Sequence, residues 1–219
     1  MGKEIDLLVN YPKTKRNLEE RVASKTEADR SIARQFGRDF FDGDRNHGYG
    51  GFNYFPRFWQ PVIPTFQEHW GLSKNSSILD VGCAKGFFLF DLKQELPSIS
   101  INGVDISEYA IENAKPEVKE YLQVANATKL PFADDSFDFV MSINTVHNLN
   151  REECAISLQE IERVSRGNSF ITVDAYRNAE EKARMEAWNL TALTMMSVDE
   201  WKEFFLEIGY TGDYYWFIP

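Results

Sequence analysis

The chain has 219 residues, 43% of them hydrophobic, and its acids outnumber its bases 34 to 24 for a formal net charge of -10. That size and apolar content suit one α/β domain with a sizeable core rather than two separate domains, while the negative surface argues against nucleic-acid backbones and anionic lipid as partners. No stretch approaches the roughly 20 apolar residues of a membrane span, the apolar run in residues 1–10 is too short for a signal peptide, and Cys83 and Cys154 match no metal spacing, so the expectation is a soluble, cytoplasmic chain with free thiols.

From Thr14 to Gln35 the sequence is charge-dense, with Leu18, Val22, Ala28, Ile32 and Phe36 at loose helical spacing, which predicts an amphipathic helix appended to the main domain. From Phe40 to Pro64 the chain reads FFDGDRNHGYGGFNYFPRFWQPVIP, a glycine-, aromatic- and proline-rich texture that predicts a structured or mobile loop without regular helix or long strand. Residues 1–72 are thus expected to form an N-terminal helical and lid segment, and 73–219 the main domain.

Alternation then sets in. Strands are predicted at Ser77 to Val81, Ser100 to Asp105, Tyr121 to Asn126, Phe137 to Ser142 and Ser169 to Asp174, with helices at Phe87 to Leu96, Ser107 to Ala114 and Glu152 to Val164. In the last of these helices Ala155, Ile156, Leu158, Ile161 and Val164 mark one buried face. A helix from Val198 to Ile208 stops at Gly209, and an aromatic strand follows at Asp213 to Ile218. The pattern predicts a Rossmann-like, doubly wound, mostly parallel sheet of six or seven strands.

In such a sheet a ligand sits beyond the carboxyl ends of the strands, where the first strand-to-helix turn lies. That turn is DVGCAKG, residues 80 to 86. Gly82 and Gly86 let the main chain approach a ligand, and the amides opening the next helix offer donors. Counting from Gly82, Ala84 and Phe87 occupy the second and third glycine positions of G-x-G-x-x-G, and Lys85 precedes Gly86. Both the dinucleotide fingerprint and the phosphate-cradling P-loop therefore fail, and the turn suits a ligand without phosphates.

ILDVGCAKG resembles the first motif of the class I S-adenosylmethionine-dependent methyltransferases, with Ala84 replacing the middle glycine. INGVDIS, VANATKLPFADDSFDFVMS and LQEIERVSRGNSFITVD resemble later segments of the same family in order, so the likeness runs from about Ser76 to Asp174. The resemblance implies S-adenosylmethionine as cofactor. It implies contacts from Asp80, Gly82, Cys83, Ala84 and Gly86, ribose recognition by Asp105 with Ile106 beside it, adenine recognition by Asn126 and Ala127, and further contacts from Ser142 and the loop residue Tyr49.

Methyl transfer needs alignment and exclusion of water more than special residues, though a hydroxyl acceptor gains from a base. Of the three histidines, His147 follows the fourth strand and is the candidate base or substrate-binding group, set against a purely structural imidazole. His69 reads as packing, and His47 reaches the site only if its loop folds over. Arg45, Tyr54 and Arg57 in the loop, Asn144 after the fourth strand, and Asp174 and Tyr176 at the fifth are candidate substrate contacts; the bland alternatives are an aromatic plug for the loop and helix capping for Asp174. No metal is expected, because SINTVHNL supplies amides and one imidazole where metal-dependent relatives carry acids. The resulting expectation is a methyltransferase acting on a hydroxyl of a small polar, sugar-like metabolite, as a monomer or homodimer. An RNA or protein methyltransferase, a non-catalytic cofactor-binding protein and a nucleotide-dependent oxidoreductase are the alternatives.

Overall fold

A computed structural model of the chain describes residues 2–13, 26–49 and 53–219. Seven strands, β1 Ser77–Val81, β2 Ser100–Asp105, β3 Leu122–Val124, β4 Phe139–Ile143, β5 Ser169–Tyr176, β6 Met196–Ser197 and β7 Asp213–Phe217, form one sheet. Its order is β3-β2-β1-β4-β5-β6, with β7 also paired to β5, and all six strand pairings are parallel. The chain runs outward from β1 through β2 to β3, then returns to place β4 on the other side of β1. That reversal makes the β1–β4 boundary the switch point.

The expected terminal strand is present and runs parallel to β5. Its far side meets the N-terminal segment: Glu4 bridges Tyr214, Ile5 N donates to Tyr214 O at 3.0 Å, and Tyr214 N donates to Lys3 O at 3.0 Å. This segment thereby covers backbone groups that an edge strand would leave open.

Two apolar layers sandwich the sheet because its strands alternate. Leu79, Val140, Ile171, Val173 and Trp216 face a core shared with α7 (Arg151–Val164) and α9 (Val198–Ile208). Ile78, Ile101, Phe139, Met141 and Phe170 face a second core, which includes Phe66 of α4 (Ile63–Trp70) and Leu89 of α5 (Phe87–Glu95). Both α7 and α9 begin in capping boxes, Asn150 with Glu153 and Ser197 with Glu200, and α9 ends on left-handed Gly209.

The N-terminal region differs from the expectation. Of the predicted helix, α1 covers Glu27–Ala33, while Thr14 to Lys25 lies outside the described residues. The aromatic loop contains short helices, α2 Arg38–Asp42 and α3 Pro56–Trp59, and Ile63 already opens α4. Prolines begin α3 and α4 because a first-turn residue needs no amide hydrogen. The remaining helices are α6 Glu108–Glu112 and α8 Ala179–Trp188; α8 was not foreseen, having only Met185 and Trp188 buried.

Candidate active site

A cavity of about 940 Å³ opens over the carboxyl ends of the strands, from β2 across β1 and β4 to β5 and β7. Its first wall is the turn after β1. Gly82 has φ +88°, and a Cβ there would fall inside the Thr145 side chain, so only glycine fits. Gly86, at φ +73°, would place a Cβ 2.7 Å from Leu122 Cδ1. Ala84 takes φ +49°, a left-handed conformation unusual for alanine, and packs against the cluster of Phe40, Phe41 and Leu190. The missing middle glycine therefore leaves the backbone bend in place and adds a methyl to the roof.

Two acids meet this turn. Asp105 Oδ2 accepts from Ala84 N at 2.8 Å and Oδ1 from Ser107 N at 2.9 Å, which fixes the carboxylate at the cavity edge. Burial raises its pKa against the lowering effect of those amides. Asp80, buried on β1, is pushed up to about 8, first by burial and then by the charge of Asp105. Asn148 Oδ1, also on the cavity wall, is buried with no hydrogen-bond partner among the described residues.

The N-terminal helices roof the same turn. Lys85 Nζ lies 2.7 and 2.8 Å from the two oxygens of Asp42 on α2, Tyr109 donates to Asp42 Oδ2 at 2.7 Å, and Ser107 Oγ donates to Phe36 O. Tyr49 stacks on Trp188 with ring centroids 5.6 Å apart, and its hydroxyl accepts from Leu190 N and Thr191 N at 2.8 and 3.2 Å. Burial raises the Tyr49 pKa, and the charge of Asp174 adds to it. The loop is thus docked across the sheet end. Trp188 is read from the sequence as core or as pocket lining, and it lines the cavity; Asp42, Lys85 and Thr191 carry no such signal as site residues, since Asp42 and Lys85 lie 43 positions apart and nothing local pairs them.

At the far end of the cavity stands Asp174 on β5, 4% exposed. Its amide donates to His147 Nδ1 at 3.2 Å, and its carbonyl accepts from Trp201 Nε1 at 2.9 Å. With Nδ1 accepting, the neutral imidazole carries its proton on Nε2, which lies 3.6 Å from Asp174 Oδ1. Burial also lowers the His147 pKa, against the raising effect of Asp174. His147 reaches the cavity as expected, but in this geometry it has no lone pair left to act as a base. Asn144 lines the cavity in a left-handed conformation, with its Oδ1 accepting from Thr172 Oγ1 at 2.9 Å.

Cys83, Ile106, Asn126 and Ala127 also lie on the cavity wall. Asn126 Oδ1 already accepts from Thr128 N and Oγ1, both at 3.0 Å, which engages both of its acceptor positions. Other expectations are corrected. Ser142 projects from the opposite sheet face, where it donates to Val81 O at 2.8 Å. Tyr54 donates to buried Asp91 at 2.6 Å and packs edge-on to Phe90 and to the wall residue Phe87 without itself lining the cavity. Arg45 is exposed, Arg57 lies over the Phe55 and Phe58 rings, and Tyr176 donates to Glu200 at 3.3 Å; none of the three lines the cavity. His47 pairs with Asp29 at 3.1 Å and His69 with Asp213 at 2.7 Å, both outside it. Among the described residues, no group of three or more His, Cys, Asp or Glu is placed to hold a metal ion, and no helix is long and apolar enough to cross a membrane.

A family model described as "Methyltransferase domain" matches residues 72–209. An uncharacterized protein of Haemophilus influenzae is 30% identical over 154 residues, covering 64% of this chain and 60% of its own. The tRNA (carboxymethyluridine(34)-5-O)-methyltransferase of Arabidopsis thaliana is 32% identical over 145 residues, 64% of this chain and 33% of its own, and an O-methyltransferase of Pyrenophora dematioidea is 28% identical over 157 residues, 63% and 55%. The chain thus spans between 33% and 60% of the length of these relatives. Among solved structures, the YcgJ protein of Bacillus subtilis superposes with a TM-score of 0.55 at 19% identity, covering 67% of this chain and 66% of its own. A second protein, from Bacillus halodurans, gives 0.53 at 17%, covering 67% and 68%. These likenesses show the fold.

Proposed function

The chain belongs to the class I S-adenosylmethionine-dependent methyltransferases, and on that footing we propose that it transfers a methyl group to a hydroxyl of a small molecule held in the same cavity. The observation that carries this reading is the pairing of Asp105 with Ala84 N, which ties the carboxylate of β2 to the glycine turn of β1. Each Asp105 oxygen retains acceptor capacity beyond its one amide, enough for a vicinal diol. Asp80, Asp105 and the orphaned Asn148 Oδ1 favour a ligand that brings hydroxyl donors and positive charge. The residues present therefore fit the family's cofactor, with Gly82, Cys83, Ala84 and Gly86 against its backbone, Asp105 at the ribose, and Ile106, Asn126 and Ala127 at the base.

When bound, the cofactor supplies an electrophilic methyl on a sulfonium. The protein's part is alignment and dryness. Tyr49 and the α1–α2 roof cover part of the cavity, Thr145 packs against the Gly82 turn, and His147 accepts the backbone amide hydrogen of Asp174. At about 940 Å³ the cavity lies near the upper end of ordinary ligand pockets, which leaves room for an acceptor beside the cofactor.

The likeness to a tRNA methyltransferase favours a second reading, an RNA acceptor. The net charge of -10 opposes it. Incubation with methyl-labelled cofactor and either bulk tRNA or a panel of small hydroxyl compounds separates the two: label in the small-molecule fraction supports the proposal, label in tRNA replaces it, and cofactor binding with no transfer to either points to a non-catalytic binding protein.

A further inference from the structure

We propose that the cavity end over β5 and β7 is a subsite for the zwitterionic end of the acceptor, an α-amino acid in class, with Asp6 taking its ammonium and Arg177 its carboxylate. This rests on the methyltransferase reading and narrows it. Three separate pieces of chain bring the subsite together. Tyr215 of β7 lies beside Thr172 of β5, which lies beside Ile143 of β4. Ile5 N donates to Tyr214 O at 3.0 Å, so the next residue, Asp6, follows the same edge of the sheet. Arg177 is the first residue after β5. Asp6, Tyr215 and Arg177 all line the cavity.

The protein leaves the charges at this end open. The Arg177 amide donates to Glu181 Oε2 at 2.7 Å, but its Nη1 stays 3.6 Å from Glu181 Oε1, so none of the five guanidinium N–H groups meets an acceptor within hydrogen-bond distance among the described residues. The Arg177 side chain is half-exposed and meets a ligand at the mouth of the cavity. Asp6 Oδ1 accepts from Leu8 N at 3.0 Å, and no ion-pair partner reaches its carboxylate among the described residues. Both charges reach Tyr215, whose pKa is raised by burial and then by Asp6, with Arg177 opposing the rise. Other charged groups here are engaged: Glu4 pairs with Lys202 at 2.9 Å, and Asp174 lies 3.6 Å from His147 Nε2. Lys13, exposed on the wall, adds a second cation.

This charge pattern selects the acceptor. A carboxylate alone meets Asp6 as a like charge, and an amine alone meets Arg177 in the same way, whereas an α-amino acid satisfies both and its carboxylate can take two parallel bonds from the guanidinium. Neutral polyols find hydrogen-bond partners here too, but they neutralise neither charge when they displace its water. The sheet order sets the length. Asp105 on β2 and Tyr215 on β7 are four strand spacings apart, about 19 Å. With the cofactor over β2, β1 and the near side of β4, the acceptor spans the remaining two spacings, about 10 Å. Its reacting hydroxyl therefore sits several bonds from the α-carbon, near the polar floor of Asn144 and Thr172.

The test is calorimetry on the full chain loaded with S-adenosylhomocysteine. It is titrated with L-serine, L-homoserine, L-tyrosine and 6-hydroxynorleucine, with glucose as the polyol control, and then with analogues of the tightest binder that lack the carboxylate or the amine. Expected are tighter binding of a long hydroxy amino acid than of serine, and a roughly tenfold loss with either analogue. Arg177→Gln should weaken the amino acid and its amine-free analogue roughly tenfold while leaving the carboxylate-free analogue unchanged, and Asp6→Asn should do the reverse. Affinity for S-adenosylhomocysteine should hold in both variants, which a damaged fold would not allow. Absence of binding by every amino acid, binding of glucose in their place, or an equal effect of each variant on all three compounds would overturn the acceptor class. Tightest binding by serine would overturn the span. Failure of S-adenosylhomocysteine itself to bind would instead remove the underlying methyltransferase reading.

Discussion

Asp105 Oδ2 accepts the amide hydrogen of Ala84 at 2.8 Å, so the acid that ends β2 also fastens the turn that follows β1. Asp105→Ala removes the tie and, on the proposed reading, the ribose partner. We expect S-adenosylhomocysteine affinity to fall at least about tenfold, roughly 1.4 kcal/mol, as read by calorimetry.

Asp80 links affinity to pH. Its pKa stands at about 8 because burial, and then the Asp105 charge, disfavour ionisation. This raised pKa favours the unliganded fold at low pH, and that contribution is lost as pH rises through 8. A cationic ligand reverses the preference by favouring the carboxylate. S-adenosylmethionine affinity should therefore rise from pH 6 toward about 8.5 and then level off, and Asp80→Asn should flatten the profile.

His147 acts in the opposite direction. Burial holds its pKa below the ordinary value of 6.5, so the unfolded chain binds the extra proton and stability declines as pH falls below about 6.5. His147→Gln, whose side-chain oxygen can still accept from Asp174 N, should reduce that decline, measured as the difference between the two Tm-against-pH curves.

Gly82→Ala is expected to be severe. The Thr145 side chain occupies the space of a Cβ, and φ is already +88°. Left-handed strain costs about 1–2 kcal/mol before any steric shift, so the variant should lose both Tm and S-adenosylhomocysteine binding. Thr145→Ala in the same chain should recover part of each.

The roof gives a prediction of its own. Lys85 is 8% exposed and held by Asp42. Asp42→Asn leaves a mostly buried ammonium short of its anion and should cost about 1–3 kcal/mol in chemical denaturation, lessened by the solvent that reaches Asp42. Asp42→Leu with Lys85→Met, which removes both charges, should be the more stable of the two variants.

What could be read from the sequence follows from how local each signal is. β1, β2 and α9 coincide with their predicted bounds, because short apolar runs bounded by glycine, by acid or by a serine–glutamate capping box carry their own limits. The turn after β1 and the end of β2, which the sequence marks by glycine and acid, both line the cavity because each is set by a few adjacent residues. Asp174 was legible only as a candidate, because its partner Phe217 lies 43 positions away on β7. Ser142 was misplaced by strand parity, which sends it to the opposite face from Met141 and Ile143. Arg45, Tyr54 and Arg57 shared the aromatic texture of their loop, but tertiary docking decides which of its side chains turn inward, and it selects Tyr49 and Trp59 instead.

The most direct test is calorimetric titration of the full chain with S-adenosylmethionine near pH 7 in two buffers of different ionisation enthalpy, repeated with Asp105→Ala. The account predicts saturable binding, heats that differ between the buffers as Asp80 releases its proton, and a marked loss of affinity in the variant. No heat with this compound, alongside saturable binding of NADH, would contradict it.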